Sequence, residues 1–239
     1  MEAIVLAGGL GTRLRSVVAD VPKPMAQVAG RPFLDYILNY LKKQGVHRVI
    51  LAVGYKWEVF SSYYSHVDKS FGLELIFSVE DEPLGTGGAI FNAARTVQGD
   101  SFFIINGDTA FDISLNNLAE FFSDNNAEIV LALKQVTNAD RYGSVECAPD
   151  GRILSFLEKG QNSPSFSAIN GGIYKMKKAV MERFNFPARF SFETDFLKGK
   201  IGELKAFGKV FDAPFIDIGI PEDFRRAQNL FNNAIDEAI

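Results

Sequence analysis

LAGGLGTRL, Leu6–Leu14, sets three glycines, a threonine and an arginine directly after the apolar run Ala3-Ile4-Val5. Glycines let backbone N–H groups approach an anion closely, and Arg13 would add a fixed charge and a fork of donors. The loop fits neither of two common nucleotide templates. It lacks the Gly-x-x-x-x-Gly-Lys-Ser/Thr pattern, and it lacks the dinucleotide fingerprint, since Leu14 stands where a further glycine is needed and Val53-Gly54 where an acidic residue would close the second strand. A phosphate nest of another kind and a plain tight turn with a solvated arginine share this sequence. Val21-Pro22-Lys23-Pro24 follows; two prolines hold the backbone extended and restrict where the Lys23 ammonium points, which suits a point charge for a phosphate or a surface turn.

EPLGTGGA, Glu82–Ala89, is a second glycine-rich loop before a helix. Gly85, Thr86, Gly87 and Gly88 would let a flat ring or a ribose approach the backbone, with Thr86 as helix cap. Just before it, the Glu80 carboxylate only accepts hydrogen bonds, which matches the adjacent N–H donors of guanine, or else it is simply solvated. Asn106-Gly107-Asp108 ends the apolar run SFFIIN, and Asp217 ends another in FIDIG. Two hard oxygen donors beside phosphates would suit Mg²⁺; each aspartate alone reads equally as a turn residue. Glu158-Lys159-Gly160 closes a hairpin, where Lys159 could meet a second anion, and Asn170-Gly171-Gly172 interrupts an apolar strand, a sign of close backbone approach. Lys175, Lys177, Lys178, Arg225 and Arg226 read as solvating charge on outer helix faces, and Cys147 and both histidines as structural.

Elements must place these residues. Strands are expected at Glu2–Ala7, His47–Val53, Leu73–Val79, Ser101–Asn106 and Glu128–Leu133. Helices are expected from Pro32 to Gly45, over Glu58–His66, from the second glycine loop to Val97, and over Leu115–Phe122. This alternation through the first ~135 residues predicts a mostly parallel sheet covered on both faces. Beyond it the pattern changes. Ser144–Ala148, a Pro149-Asp150-Gly151 turn and Ile153–Glu158 read as a hairpin, Ala168–Met176 as a strand, and Lys177–Phe184, Phe192–Lys198 and Pro221–Ala234 as helices. One domain over 1–239 is the simplest organisation.

The bulk properties narrow the class. The chain has 239 residues, 47% hydrophobic and 23% charged, with a net charge of −4. That argues against nucleic acid or anionic membrane as partner. One cysteine and two histidines allow no internal disulfide and no zinc site. No apolar run reaches the ~20 residues of a spanning helix, and MEAIVLAGG lacks a positive n-region, so a cytoplasmic protein is expected. The 22 phenylalanines exceed what a core needs and leave a few for a self-association face.

Together the motifs resemble the sugar-1-phosphate nucleotidyltransferase (NDP-sugar pyrophosphorylase) family. LAGGLGTRL, Lys23-Pro24, Gly30-Arg31-Pro32, EPLGTGGA, NGD, YGSV, Glu158-Lys159, NGGIY and FIDIGIPEDF occur in that family's order, from Met1 to about Gln228. The short bacterial members that use GTP and a heptose 1-phosphate look most similar; mannose-1-phosphate guanylyl- and N-acetylmuramate-1-phosphate uridylyl-transferring members look nearly as similar. The resemblance implies a Rossmann-like three-layer α/β/α fold, with a nucleotide-binding part at 1–135 and a sugar-phosphate-binding part at 136–239. By residue it implies that Leu6, Ala7, Gly8, Gly9, Gly11, Thr12, Glu80, Gly85 and Thr86 meet the nucleotide. Arg13 would hold the β/γ-phosphates and Lys23 the α-phosphate, with Asp108 and Asp217 on Mg²⁺. Lys159 would meet the sugar phosphate, and Gly143, Glu158 and Asn170 would line the sugar pocket. A regulator that binds a nucleotide sugar without turning it over would keep the fold but has no need of Arg13, Lys23 and the aspartates; an oxidoreductase is disfavoured by Leu14 and Val53-Gly54.

Overall fold

The structure is a computed structural model that describes residues 1–9, 14, 21–137, 144–157 and 167–236, with backbone alone at 66–70 and 233–236. The chain begins with β1 (Glu2–Leu6), then a 3₁₀ turn at Lys23–Met25 and a small antiparallel pair, β2 (Gln27–Val28) and β3 (Arg31–Pro32). Next come α1 (Phe33–Lys43), β4 (Arg48–Val53), α2 (Trp57–Phe71), β5 (Glu74–Val79), α3 (Gly85–Ala94) and β6 (Ser101–Asn106). They are followed by β7 (Thr109–Phe111), α4 (Leu115–Asp124), β8 (Ile129–Val136), β9 (Ser144–Cys147), β10 (Ile153–Leu157) and β11 (Ser167–Lys177). A 3₁₀ turn (Lys178–Glu182) and a π-helix (Phe192–Lys198) lead to β12 (Ala206–Val210), β13 (Phe215–Asp217) and α5 (Pro221–Asp236).

β1, β4, β5 and β6 are parallel in the spatial order β5-β4-β1-β6, after which β11 joins β6 antiparallel and carries β8 and β9, with β12 beyond β8 and β10 beyond β9. β1, β4 and β6 are apolar along their middle residues, as burial on both faces requires, while β5 at the sheet edge is mostly half-buried with Glu74 exposed. Alternate side chains feed two cores. Ala3, Val5, Val49, Leu51, Phe103 and Ile105 pack with α1, α2, α4 and α5, while Ile4, Ile50, Ala52, Phe102 and Ile104 pack with α3 and the segment around Phe190–Leu197. The result is a Rossmann-like α/β/α sandwich, mostly parallel through the first half and mixed beyond it.

Local chemistry sets the ends. Pro32 stands at the N-cap of α1, and Gly45 (φ 78°) follows its end. α2 runs past the expected His66 to Phe71 and stops at left-handed Gly72. The expected helix at 177–184 is only a 3₁₀ turn, because β11 continues to Lys177. Lys177 therefore lies on the strand, as does Lys175, which falls within the run Ala168–Met176; neither is on an outer helix face. Half-buried Lys175 sets its ammonium over the rings of Phe103 (4.4 Å) and Phe122 (5.3 Å), and burial lowers its pKa. Nor do the phenylalanines among the described residues supply an exposed face. Among the described residues the exposed large apolar side chains are Tyr55, Leu154, Val210 and Leu230, and the phenylalanines form ring clusters such as Phe91–Phe186–Phe190–Phe196. No helix of the described residues is long and apolar enough to cross a membrane.

Candidate active site

The sheet order reverses between β1 and β6: the chain winds toward β4 and β5 from one and toward β11 from the other. Open α/β sheets hold ligands beyond the carboxyl ends of their strands at such a point. Leu6 is in register with Asn106, and the Gly107 N–H donates to the Leu6 carbonyl at 2.9 Å. That bond stitches the first glycine loop to the NGD turn. A Cβ on Gly107 would fall 2.4 Å from the Leu6 oxygen and 3.2 Å from Pro24 Cγ, so the position admits only glycine without backbone movement.

Lys23 reaches this place from a different geometry than its prolines suggest. Pro22 is extended (ψ 145°), but Lys23 opens a 3₁₀ turn closed by Met25 N–H to the Pro22 carbonyl (2.8 Å) and Ala26 N–H to the Lys23 carbonyl (3.0 Å). Those bonds override the usual bias against helical backbone before proline. Its ammonium donates to Asp108 Oδ2 and lies 3.9 Å from Asp217 Oδ1. Asp217 arrives on β13, which pairs antiparallel with β7 and sets Asp217 opposite Thr109. Ile218 N–H donates to the Asp108 carbonyl (3.0 Å), and Gly219 N–H to Asp217 Oδ1 (2.6 Å). Burial, and then the charge of Asp108, push the Asp217 carboxyl above its ordinary pKa, with Lys23 and Gly219 N–H pulling the other way.

Two carboxylates with neither cysteine nor histidine beside them are a hard oxygen donor set. That suits a divalent cation that completes its shell with phosphate oxygens and water. Among the described residues no group of three or more His, Cys, Asp and Glu could hold a metal.

On the other side of β1, Ala7 N–H donates to the Ala52 carbonyl (2.8 Å). Gly8 faces Gly54 and Glu80: a Cβ there would lie 3.1 Å from Gly54 N and 3.2 Å from Glu80 Oε1. Gly9 opens to space, with nothing within 4 Å of such a Cβ. Glu80 Oε2 accepts from Leu84 N–H (2.9 Å); burial raises the Glu80 pKa and that bond partly opposes it. Gly11, Thr12 and Arg13 lie outside the described residues, as do Gly143, Glu158 and Lys159.

The second glycine loop is approached closely by the chain itself. A Cβ on Gly85 would sit 2.5 Å from the Phe190 carbonyl oxygen, on Gly87 2.2 Å from the Phe190 ring, and on Gly88 2.2 Å from the Ala188 carbonyl oxygen. Gly87 N–H donates to the Phe190 carbonyl and Phe190 N–H to the Leu84 carbonyl, both at 3.0 Å. Thr86 does not cap its own helix, whose N-cap is Leu84; its hydroxyl accepts from Phe192 N–H at 2.9 Å and so holds the start of the π-helix.

Asn170 stands at a bulge in β11. Asn170 pairs with Leu133 and Tyr174 with Leu131, so extra residues are looped out at Gly171 and left-handed Gly172 (φ 74°). The bulge brings Asn170 Nδ2 to the buried Tyr174 hydroxyl at 2.5 Å, and Asn170 Oδ1 accepts from Gly172 N–H (3.1 Å). Both glycines are pressed: a Cβ on Gly171 would meet the Phe111 ring at 2.5 Å, and on Gly172 the Asn106 amide at 2.8 Å. Sequence reasoning uses Gly54 only against a dinucleotide site and gives no role to Tyr174 or the Phe190 segment. Gly54, directly after an apolar strand, was the only one of them with a readable signal.

The nucleotidyl transferase family model matches residues 2–233. D-glycero-α-D-manno-heptose 1-phosphate guanylyltransferase of Aneurinibacillus thermoaerophilus is 47% identical over 228 residues, covering 95% of this chain and 97% of that protein. The protein of the same name from Campylobacter jejuni is 46% identical over 94% and 97%. The crystal structure of HddC from Yersinia pseudotuberculosis complexed with GMP-PN superposes with a TM-score of 0.84 at 38% identity, over 96% and 99% of the two chains. The family match covers nearly the whole chain, and this chain belongs to the nucleotidyl transferase family.

Proposed function

We propose that the protein transfers the guanylyl group of GTP to D-glycero-α-D-manno-heptose 1-phosphate, giving a GDP-heptose and pyrophosphate. The observation that carries this reading is the convergence of Lys23, Asp108 and Asp217 at the carboxyl ends of β1 and β6. The similarity to two heptose 1-phosphate guanylyltransferases of nearly equal length supports the choice of base and sugar.

A phosphate monoester is already anionic at neutral pH, so the attacking oxygen needs neither a general base nor a protein nucleophile. The sugar phosphate oxygen bonds to the α-phosphorus, the bond from that phosphorus to the bridging oxygen breaks, and pyrophosphate leaves in line. The difficulty is to bring two polyanions together. Lys23 would donate to the α-phosphate and Arg13 to the β/γ-phosphates, with Lys159 at the sugar phosphate. Asp108 and Asp217 would hold Mg²⁺, which when bound offsets charge on the phosphates. Alignment of the two substrates alone supplies on the order of 7–11 kcal/mol of the barrier.

The nucleotide would lie along Leu6, Ala7, Gly8, Gly9, Gly11 and Thr12, with its base toward Glu80, Gly85 and Thr86. Glu80 Oε1 beside Gly8 offers an acceptor to the guanine N–H donors while Oε2 stays on Leu84 N–H. The sugar would meet Gly143, Glu158 and Asn170, whose amide is oriented by Tyr174 and Gly172. Residues 1–135 would thus serve the nucleotide and 136–239 the sugar phosphate, in the cytoplasm where GTP is supplied. The test is a matrix of four NTPs against several sugar 1-phosphates with Mg²⁺, read as pyrophosphate release. The highest kcat/KM is expected for GTP with the heptose 1-phosphate; a higher value for another pair would overturn the assignment of base or sugar.

A further inference from the structure

A cation of the chain itself stands where a divalent metal would have to enter. The Lys23 ammonium donates to Asp108 Oδ2 and is 3.9 Å from Asp217 Oδ1. Only 15% of the Lys23 side chain is exposed, so it is held in the site and does not sweep through solvent. Backbone closes the gap behind it: a Cβ on Gly219 would lie 3.0 Å from Lys23 Nζ and 2.7 Å from Asp217 Oδ1. Asp217 Oδ1 is itself fixed by the Gly219 N–H. Mg²⁺ needs carboxylate oxygens at about 2.0–2.1 Å and a shell of further oxygens. An ammonium bonded to Asp108 takes the space of that shell and repels the incoming ion.

We propose that Lys23 is a placeholder cation. In the nucleotide-free protein its ammonium occupies the Asp108–Asp217 pair and keeps divalent metal out. A triphosphate that draws the ammonium away opens the pair, so metal loads with the nucleotide and not before it. This rests on the reading of Asp108 and Asp217 as metal carboxylates and of Lys23 as a phosphate ligand.

The side chain suits the task. Met25 N–H and Ala26 N–H pin the backbone on both sides of the 3₁₀ turn, so the movement is confined to a flexible four-carbon stem. An ammonium is a point charge without a fixed fork, and can exchange one carboxylate oxygen for a phosphate oxygen. A polyphosphate carries more charge than a single carboxylate and wins that exchange. Linkage makes the effect reciprocal: whatever the nucleotide does for metal affinity, metal does for nucleotide affinity.

Mn²⁺ is the probe, titrated into full-length nucleotide-free protein and followed by electron paramagnetic resonance, with melting curves to show that each variant is folded. Wild type is expected to bind Mn²⁺ weakly. Lys23→Gln should bind it at least about tenfold more tightly, within the usual range of coupling between sites. Lys23→Arg, which keeps the charge, should remain weak, and Lys23→Gln with Asp217→Asn should lose the gain. If wild type already binds as tightly as Lys23→Gln, and Asp217→Asn abolishes both, the placeholder role is overturned while the carboxylates stand as a metal site. If neither wild type nor Lys23→Gln binds Mn²⁺, the reading of the carboxylates falls, and the placeholder with it.

Discussion

The amide of Gly107 donates to the carbonyl of Leu6 at 2.9 Å, and this bond ties the ends of two parallel strands at the point where the sheet changes direction. Everything proposed for the nucleotide phosphates depends on that seam. A methyl at Gly107 would meet backbone oxygen at 2.4 Å, which no rotamer change relieves. Gly107→Ala is therefore expected to destabilise the fold by about 3 kcal/mol, the upper range for overpacking. Denaturant unfolding would show it, and a midpoint equal to wild type would refute the packing account.

Asp108 and Lys23 carry charge rather than packing. Asp108→Asn is expected to lower kcat by about 100- to 1000-fold with the fold intact, the usual loss when one preorganised electrostatic group is removed. Lys23→Ala should lower kcat far more than it lowers the melting temperature. Paired kinetics and melting curves check both, and near-normal kcat in either variant would remove that residue from the mechanism.

The second glycine loop tests a different relationship. Gly88 faces the Ala188 backbone oxygen at 2.2 Å from a would-be Cβ, whereas Gly202 faces nothing within 4 Å. Gly88→Ala should cost about 2–3 kcal/mol as the segment around Phe190 is pushed off α3, and Gly202→Ala should change stability by less than about 0.5 kcal/mol. Similar unfolding midpoints for the two variants would contradict this.

At the opposite end of β1, Glu2 supplies a pH-dependent contribution to stability. Burial raises its pKa, but Arg48 (2.7 Å) and the N–H groups of Gly99 and Gln98 outweigh that and hold it below the ordinary value. A carboxyl with a lowered native pKa stabilises the fold above its unfolded pKa, and that stability is lost as pH falls through the native value. Glu2→Gln should therefore be less stable than wild type at pH 7, and the difference should narrow as pH falls through the lowered native value. Melting curves across pH would reveal a constant gap if the account were wrong.

Much of this was legible in the chain, and the rest was hidden for physical reasons. β1, β4 and β6 are strands buried on both faces, so their apolar runs stand out. The ends of those runs gave the first glycine loop and Asp108. The meeting of Asp108 with Asp217 was not legible, because it depends on β7 and β13, each of three residues and too short to show a period. Nor could sequence say what approaches Gly85, Gly87 and Gly88. Glycine signals a close neighbour without naming it, and here the neighbour is Phe190 and Ala188. Lys175 falls within a run that reads as a strand, but a lysine there reads as solvating charge, and only the rings of Phe103 and Phe122 explain how the strand keeps it half-buried.

The central claim is transfer of the α-phosphoryl group between two substrates on one sheet edge. The most direct measurement follows that phosphorus by ³¹P NMR in a mixture of protein, Mg²⁺, GTP and D-glycero-α-D-manno-heptose 1-phosphate. The account predicts a GDP-heptose and pyrophosphate in equal amounts, only when the sugar phosphate is present, and formed about 100- to 1000-fold more slowly with Asp108→Asn. GDP and inorganic phosphate in their place, or no change in GTP under any of these conditions, would contradict it.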